Sequence, residues 1–109
     1  GYPVRRRWRY LSMRVVLHAP TADALHRARS NARNLRVRQP DAEILIVVNA
    51  DGVPAALATR DPDTDLALRL CANTLAARNL DTPANIRTVP AAVESLALLQ
   101  AEGWTYIRA

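Results

Sequence analysis

The sequence predicts an α/β domain: a mostly parallel five-stranded sheet in a three-layer arrangement, helices on both faces, and an extended N-terminal arm. Three observations predict it. From Met13 onward, short β-branched runs alternate with helix-length segments, and strands joined through helices rather than tight turns need crossover connections and therefore pair in parallel. Glu43 to Val48 is a nearly continuous apolar run without alternation, as a strand covered on both faces requires. Finally, 109 residues that are 50% hydrophobic and 23% charged make one globular domain's worth, which excludes a disordered or multidomain reading.

Taken in order, Arg14 to His18 is the first strand, and Thr21 caps the helix that follows. Leu25, Ala28, Ala32 and Leu35 recur at helical spacing over residues 22–38 and make one narrow apolar stripe. Pro40 and Asp41 end that segment, and Glu43 to Val48 is placed in the middle of the sheet. Asn49 to Gly52 read as a turn, Val53 to Thr59 as a short helix, and Asp61 to Asp65 as an acidic loop. Leu66 to Cys71 is the third strand, and Asn73 or Thr74 caps a short helix through Arg78. Ile86 to Val89 is strand four, Ala91 to Glu102 a helix stopped at Gly103, and Trp104 to Ile107 the last strand.

The single cysteine, Cys71, cannot form an intrachain disulfide or complete a four-ligand zinc site, which excludes a disulfide scaffold and a structural zinc fold and points to a reducing cytoplasm. No apolar run approaches the ~20 residues that span a bilayer. Glycine-rich phosphate loops and a Gly-x-Ser-x-Gly elbow are absent, and with only three glycines the chain has no loop to wrap a pyrophosphate, so nucleotide chemistry is disfavoured and no cofactor is expected.

A net charge of +5 invites a nucleic-acid reading, but residues 1–12 hold four of the fifteen arginines and no acid. Residues 13–109 set eleven arginines against ten acids. The alternation Arg7-Trp8-Arg9-Tyr10-Leu11 suits an extended segment that lays Trp8 and Tyr10 on an apolar surface. Three readings compete for it: an arm docking on a partner subunit, residues upstream of a start at Met13, and a contact to nucleic acid or another anionic surface. Nucleic acid is the least favoured of them. Arg29, Arg33 and Arg36 border the helix's apolar stripe, either as a solvated face or, for Arg29 and Arg33, as part of a subunit interface or an anion-binding rim.

In a parallel sheet the strand C-termini meet at one edge, where doubly wound folds place ligands. That edge collects His18, Asn49, Asp51, Cys71, Asn73 and Thr74. Cys71 falls between a strand end and a helix N-terminus, where free N–H groups and the helix dipole favour thiolate; the bland alternative is a small buried hydrophobe. His18 is a candidate base or hydrogen-bond partner for the thiol, or an ordinary loop histidine. Asp51 with Gly52 is explained by turn geometry. Asp61, Asp63 and Asp65 have calcium-loop spacing but lack the downstream Gly and Glu and contain Pro62, so no metal is expected.

Several segments together resemble the DsrE/DsrF-like family of small sulfur-relay-type proteins, in its simple single-domain branch. They are Met13-Arg-Val-Val-Leu-His18, Ala32-Arg-Asn-Leu35, Pro40-Asp-Ala-Glu-Ile44 with Val47-Val-Asn-Ala50, Cys71-Ala-Asn-Thr-Leu75, and Val89-Pro-Ala-Ala-Val93 leading to Leu99-Gln-Ala-Glu-Gly-Trp-Thr-Tyr-Ile-Arg108. The resemblance covers residues 13–109 and implies a flavodoxin-like, DsrE-like parallel sheet without flavodoxin's cofactor. It also implies homotrimers or homohexamers, a sulfur donor or acceptor protein as partner, and a cysteine that carries sulfur as a persulfide. Cys71 occupies the position that looks like that cysteine, with His18, Asn49, Asn73 and Thr74 lining its pocket. Two departures stand out. The helix between strands two and three is cut down to Val53–Thr59 with the acidic loop attached, which is expected to reshape the pocket over Cys71, and the arm is foreign to the family pattern. The alternative function is a non-catalytic oligomeric binding or assembly module in which Cys71 is structural.

Overall fold

The structure is a computed structural model and describes residues 13–109; the arm, with Trp8 and Tyr10, lies outside the described residues. The elements are β1 (Arg14–Ala19), α1 (Ala22–Arg38), β2 (Glu43–Val48), α2 (Gly52–Ala58), α3 (Pro62–Asp65), β3 (Leu68–Cys71), α4 (Ala72–Ala77), β4 (Arg87–Val89), α5 (Ala92–Ala101) and β5 (Thr105–Arg108). All four strand pairings are parallel, in the order β4-β3-β2-β1-β5. β2 is the central strand, as its unbroken apolar run requires, and Ile46, Val47 and Val48 are fully buried.

Alternation along the strands splits the core in two. Val15, Leu17, Ala19, Ile46, Val48, Leu68 and Leu70 pack on one face with Ala24, Leu25, Ala28 and Ala32 of α1, Val53 and Ala56 of α2, and Leu75 of α4. The opposite face buries Val16, Val47 and Cys71 under α5, through Ala92 and Leu96, with Leu99 and Trp104 half-buried beside them. Among the described residues, one layer is built from three helices and the other from one ten-residue helix.

Local chemistry sets the ends of these elements. The Ala24 N–H donates to Thr21 Oγ1 at 3.0 Å, the expected cap of α1. A Cβ at Gly52 would collide with the Ala19 carbonyl oxygen, so the start of α2 can lie against the end of β1 only because position 52 is glycine. Gly103 adopts φ 95°, a left-handed value that turns the chain out of α5 into β5. There the Arg14 guanidinium donates to the Glu102 carbonyl at 2.6 Å and stacks on Trp104 at 5.7 Å.

Three expectations change. The acidic stretch is not a loop but a helical turn, α3, begun by Pro62 and capped by Asp61, whose carboxylate accepts from the Asp63 N–H at 3.1 Å. It packs on α1, on the face away from Cys71, so the shortened connection does not reshape the cover over the thiol. Neither Asn73 nor Thr74 caps α4, because the chain passes from β3 straight into the helix with Cys71 at the cap position. Among the described residues no helix is long and apolar enough to cross a membrane.

Candidate functional site

The polar residues of the strand C-termini form a row on the thinly covered face. Parallel register places Val16 beside Tyr106 and Val47 beside Arg69. Two residues further along, the β2–β3 register sets Asn49 abreast of Cys71. His18, on the same face of β1, reaches Asn49 through Nε2 to Oδ1 at 2.9 Å and Tyr106 through Nδ1 to the phenol oxygen at 2.6 Å. The row runs Tyr106, His18, Asn49, Cys71 across four strands. Its Tyr106–His18 end spans β5 and β1, where the strand order switches direction and doubly wound sheets open a crevice.

Cys71 is 5% exposed. Its Sγ accepts a hydrogen bond from the Ala92 N–H at 3.4 Å. Ala91, at the cap position of α5, has no side chain able to serve those first amides, so the sulfur takes the place of an N-cap oxygen. Burial pushes the thiol up, but the hydroxyl and N–H of Thr74 and the N–H groups of Ala92 and Asn73 outweigh it and hold Cys71 below the ordinary thiol value. Only the Ala92 contact has full hydrogen-bond geometry among the described residues; the groups of Thr74 and Asn73 act as nearby dipoles. Thr74 Oγ1 itself accepts from the Ala50 N–H at 3.2 Å, which leaves its proton free to turn toward the sulfur. Ala50 is held at φ 48°, a left-handed conformation costly for a residue with a Cβ, and that twist aims its amide at Thr74.

Beside the row, against α5, opens a cavity of about 420 Å³. Val93, Leu96 and Ala97 form its apolar wall; His18, Asn49, Tyr106 and Gln100 supply its polar groups. The structure thus divides the expected pocket set. His18 and Asn49 line the cavity, whereas Asn73 and Thr74 serve Cys71 from α4. Both ring nitrogens of His18 are engaged elsewhere, so it is not the partner of the thiol.

Tyr106 and Gln100 escaped the sequence reading. Tyr106 sits on the last strand, whose neighbour β1 is distant in the chain, and a two-residue period gives its face but not its partner. Gln100 belongs to a helix read in the sequence only for its bounds and its stop at Gly103.

Arg29 is corrected outright. It is 5% exposed and faces inward, donating to Thr64 Oγ1 at 2.8 Å, Asp65 Oδ1 at 2.9 Å and the Thr59 carbonyl at 3.0 Å. It joins α1 to α3 within the protomer and cannot be a partner contact. Arg33 is half-exposed and pairs with Asp61 and, at 3.1 Å, with Asp63. Asp51 holds Arg78 at 2.7 Å. Asp61, Asp63 and Asp65 are engaged with arginines rather than arranged around a cation site.

No protein-family model and no curated protein matches the chain. Among solved structures it is similar to MTH1491, a protein of unknown function from Methanobacterium thermoautotrophicum. The two share 27% sequence identity with a TM-score of 0.71, over 90% of this chain and 100% of the other. That likeness independently supports the parallel α/β architecture drawn from the sequence.

Proposed function

We propose that the chain is a DsrE/DsrF-like sulfur carrier in which Cys71 accepts a sulfane sulfur and hands it on by thiol exchange. The observation that carries this reading is the setting of the sulfur. It lies at a strand end against two helix starts, with backbone N–H groups and a hydroxyl that favour its thiolate. The thiolate attacks the terminal sulfur of a donor persulfide, R–S–SH. The donor's S–S bond breaks, its electron pair leaves on the inner sulfur as RS⁻, and Cys71 holds the new persulfide. The transferred sulfur keeps its oxidation level, so no external oxidant or reductant is needed.

The reading extends to a homotrimer or homohexamer in the cytoplasm that exchanges sulfur with a partner protein. Support for assembly comes from the thin layer: Val93 and Leu98 on α5 are 78% and 56% exposed. A lone free thiol supports a reducing compartment.

Incubation with a sulfane donor, read by intact mass, tests the carrier role. One added sulfur on the wild-type chain and none on Cys71→Ser is expected. No adduct on wild type, or one that survives the substitution, removes it.

A second reading, a binding or assembly module with an inert Cys71, is favoured by the 5% exposure of that residue. It requires native alkylation of Cys71 to be slow and alkylation after unfolding to be fast, with no sulfur taken up. A weaker third reading gives the arm a nucleic-acid contact. It requires salt-dependent binding that disappears when residues 1–12 are removed.

A further inference from the structure

The cavity against α5 can be read for the chemistry of its occupant through the hydrogen bonds its polar groups already make. The Asn49 carboxamide oxygen faces His18 Nε2 at 2.9 Å, so the tautomer that satisfies this contact carries its hydrogen on Nε2. Nδ1 is then an acceptor, and the Tyr106 hydroxyl donates to it at 2.6 Å. With its proton held by the ring, the phenol oxygen turns only lone pairs to the cavity. Gln100 Nε2 donates to the Leu96 carbonyl at 3.1 Å, which leaves Gln100 Oε1 as a second acceptor. Asn49 Oδ1 is used by His18, which leaves the Asn49 amide hydrogens as donors.

The cavity therefore offers two acceptors and the free amide hydrogens of Asn49 and Gln100 beside an apolar wall, and among the described residues no carboxylate or guanidinium lines it. A secondary amide on a short hydrocarbon stem answers that pattern: its N–H meets Tyr106 or Gln100, its carbonyl meets Asn49, and its methylenes lie on Val93 and Ala97. An ammonium or carboxylate would lose water there without a counter-charge. Asn49 lines the cavity and follows β2, the neighbour of β3, whose last residue is Cys71, so the cavity borders the strand pair that ends at the sulfur.

We infer that this cavity selects the sulfur donor, and that the preferred donor is a neutral, amide-bearing thiol persulfide. This rests on the sulfur-carrier reading of Cys71. Tyr106 is the specificity-determining residue, and His18 is a positioning residue that fixes the direction of its hydroxyl. The transfer balances as written for the carrier: the inner sulfur of the donor leaves as thiolate and takes a proton from water.

Persulfides of N-acetylcysteamine (neutral amide), cysteamine (cationic) and mercaptopropionate (anionic) are offered to the full chain. The rate of sulfur addition to Cys71 is read by intact mass and divided by the rate on a free cysteine peptide. The amide-bearing donor should lead by roughly five- to tenfold, the size of one or two net hydrogen bonds, and Tyr106→Phe should erase most of that lead. Equal normalised rates, or a preference untouched by Tyr106→Phe, overturn the inference. The unreactive thioether S-methyl-N-acetylcysteamine gives a readout independent of sulfur transfer. In Cys71→Ser it should shift the NMR signals of Val93, Ala97 and Tyr106. Absence of those shifts sinks the cavity assignment even where sulfur is transferred. Shifts with no sulfur ever gained by wild-type Cys71 sink the carrier role and leave the binding site standing.

Discussion

A single sulfur atom at Cys71 serves two structural needs at once: it replaces the missing cap oxygen of α5 and it fills a small apolar site under that helix. Burial alone would keep the thiol protonated, so the balance is set by the dipoles around it, the Thr74 hydroxyl first among them. Thr74→Val removes that hydroxyl at nearly constant volume, and the thiol pKa should rise, whereas Thr74→Ser should leave it close to wild type. Ultraviolet absorbance of the thiolate against pH reads this without requiring reagent access, and an unchanged midpoint in Thr74→Val would show that the backbone amides act alone. The sign of the linkage follows. A thiol depressed in the folded state adds stability above its unfolded pKa, and that stability is lost as pH falls through the folded value. Cys71 was legible in the sequence because topology alone brings a strand end to a helix start. Thr74 was legible as a cap or a pocket residue, but the sequence does not show that the Ala50 amide turns into a left-handed conformation to meet it.

Among the elements, α3 departs most from its sequence expectation. Asp-Pro-Asp-Thr-Asp reads locally as a turn, and what makes it a helical turn is long-range: the Arg29 guanidinium, thirty-five and thirty-six residues away, holds Thr64 and Asp65. Helical spacing exposes α1 and an unalternating apolar run exposes β2, because both are local properties of the sequence. Both are silent on α3, whose partner is a charge on another helix. Asp65→Ala should leave a buried guanidinium without its nearest counter-charge, Asp61 lying farther off at 3.9 Å, and cost about 3–5 kcal/mol in urea denaturation. Asp63→Ala, at a carboxylate 65% exposed, should cost less than about 1 kcal/mol. Comparable losses would mean that burial does not distinguish the two pairs. Burial raises the carboxyls of Asp61 and Asp65, but their hydrogen bonds and nearby arginines hold both below the ordinary 3.8. Their contribution is whole above that unfolded value and is lost as pH falls below it through the folded values. The acid limb of the stability curve should therefore flatten in part in Arg29→Met, because Asp61 keeps Arg33 and Asp65 keeps Arg60.

At the scale of the whole molecule the sheet is covered unequally, and this links stability to chemistry. The face of α1, α2 and α4 carries most of the core, while the face that holds Cys71 is closed by α5 through Ala92 and Leu96. A helix held by so few buried side chains opens at lower free energy than the rest of the fold, and that opening exposes a nearly buried thiol to an alkylating reagent that the cavity does not bind. Leu96→Ala and Leu25→Ala remove side chains of equal size from opposite faces, each 8% exposed or less, and both should lower global stability by about 2–5 kcal/mol. Their effects on Cys71 should differ. Loosening α5 exposes the sulfur directly, so native-state alkylation in Leu96→Ala should accelerate well beyond its rate in Leu25→Ala when the two are compared at matched global stability. If both variants accelerate alkylation only in proportion to their unfolded fraction, the thiol is reached by global unfolding and α5 is not its gate. An acceleration confined to Leu96→Ala, with urea midpoints lowered alike in both, identifies the thin layer as the working face of the protein.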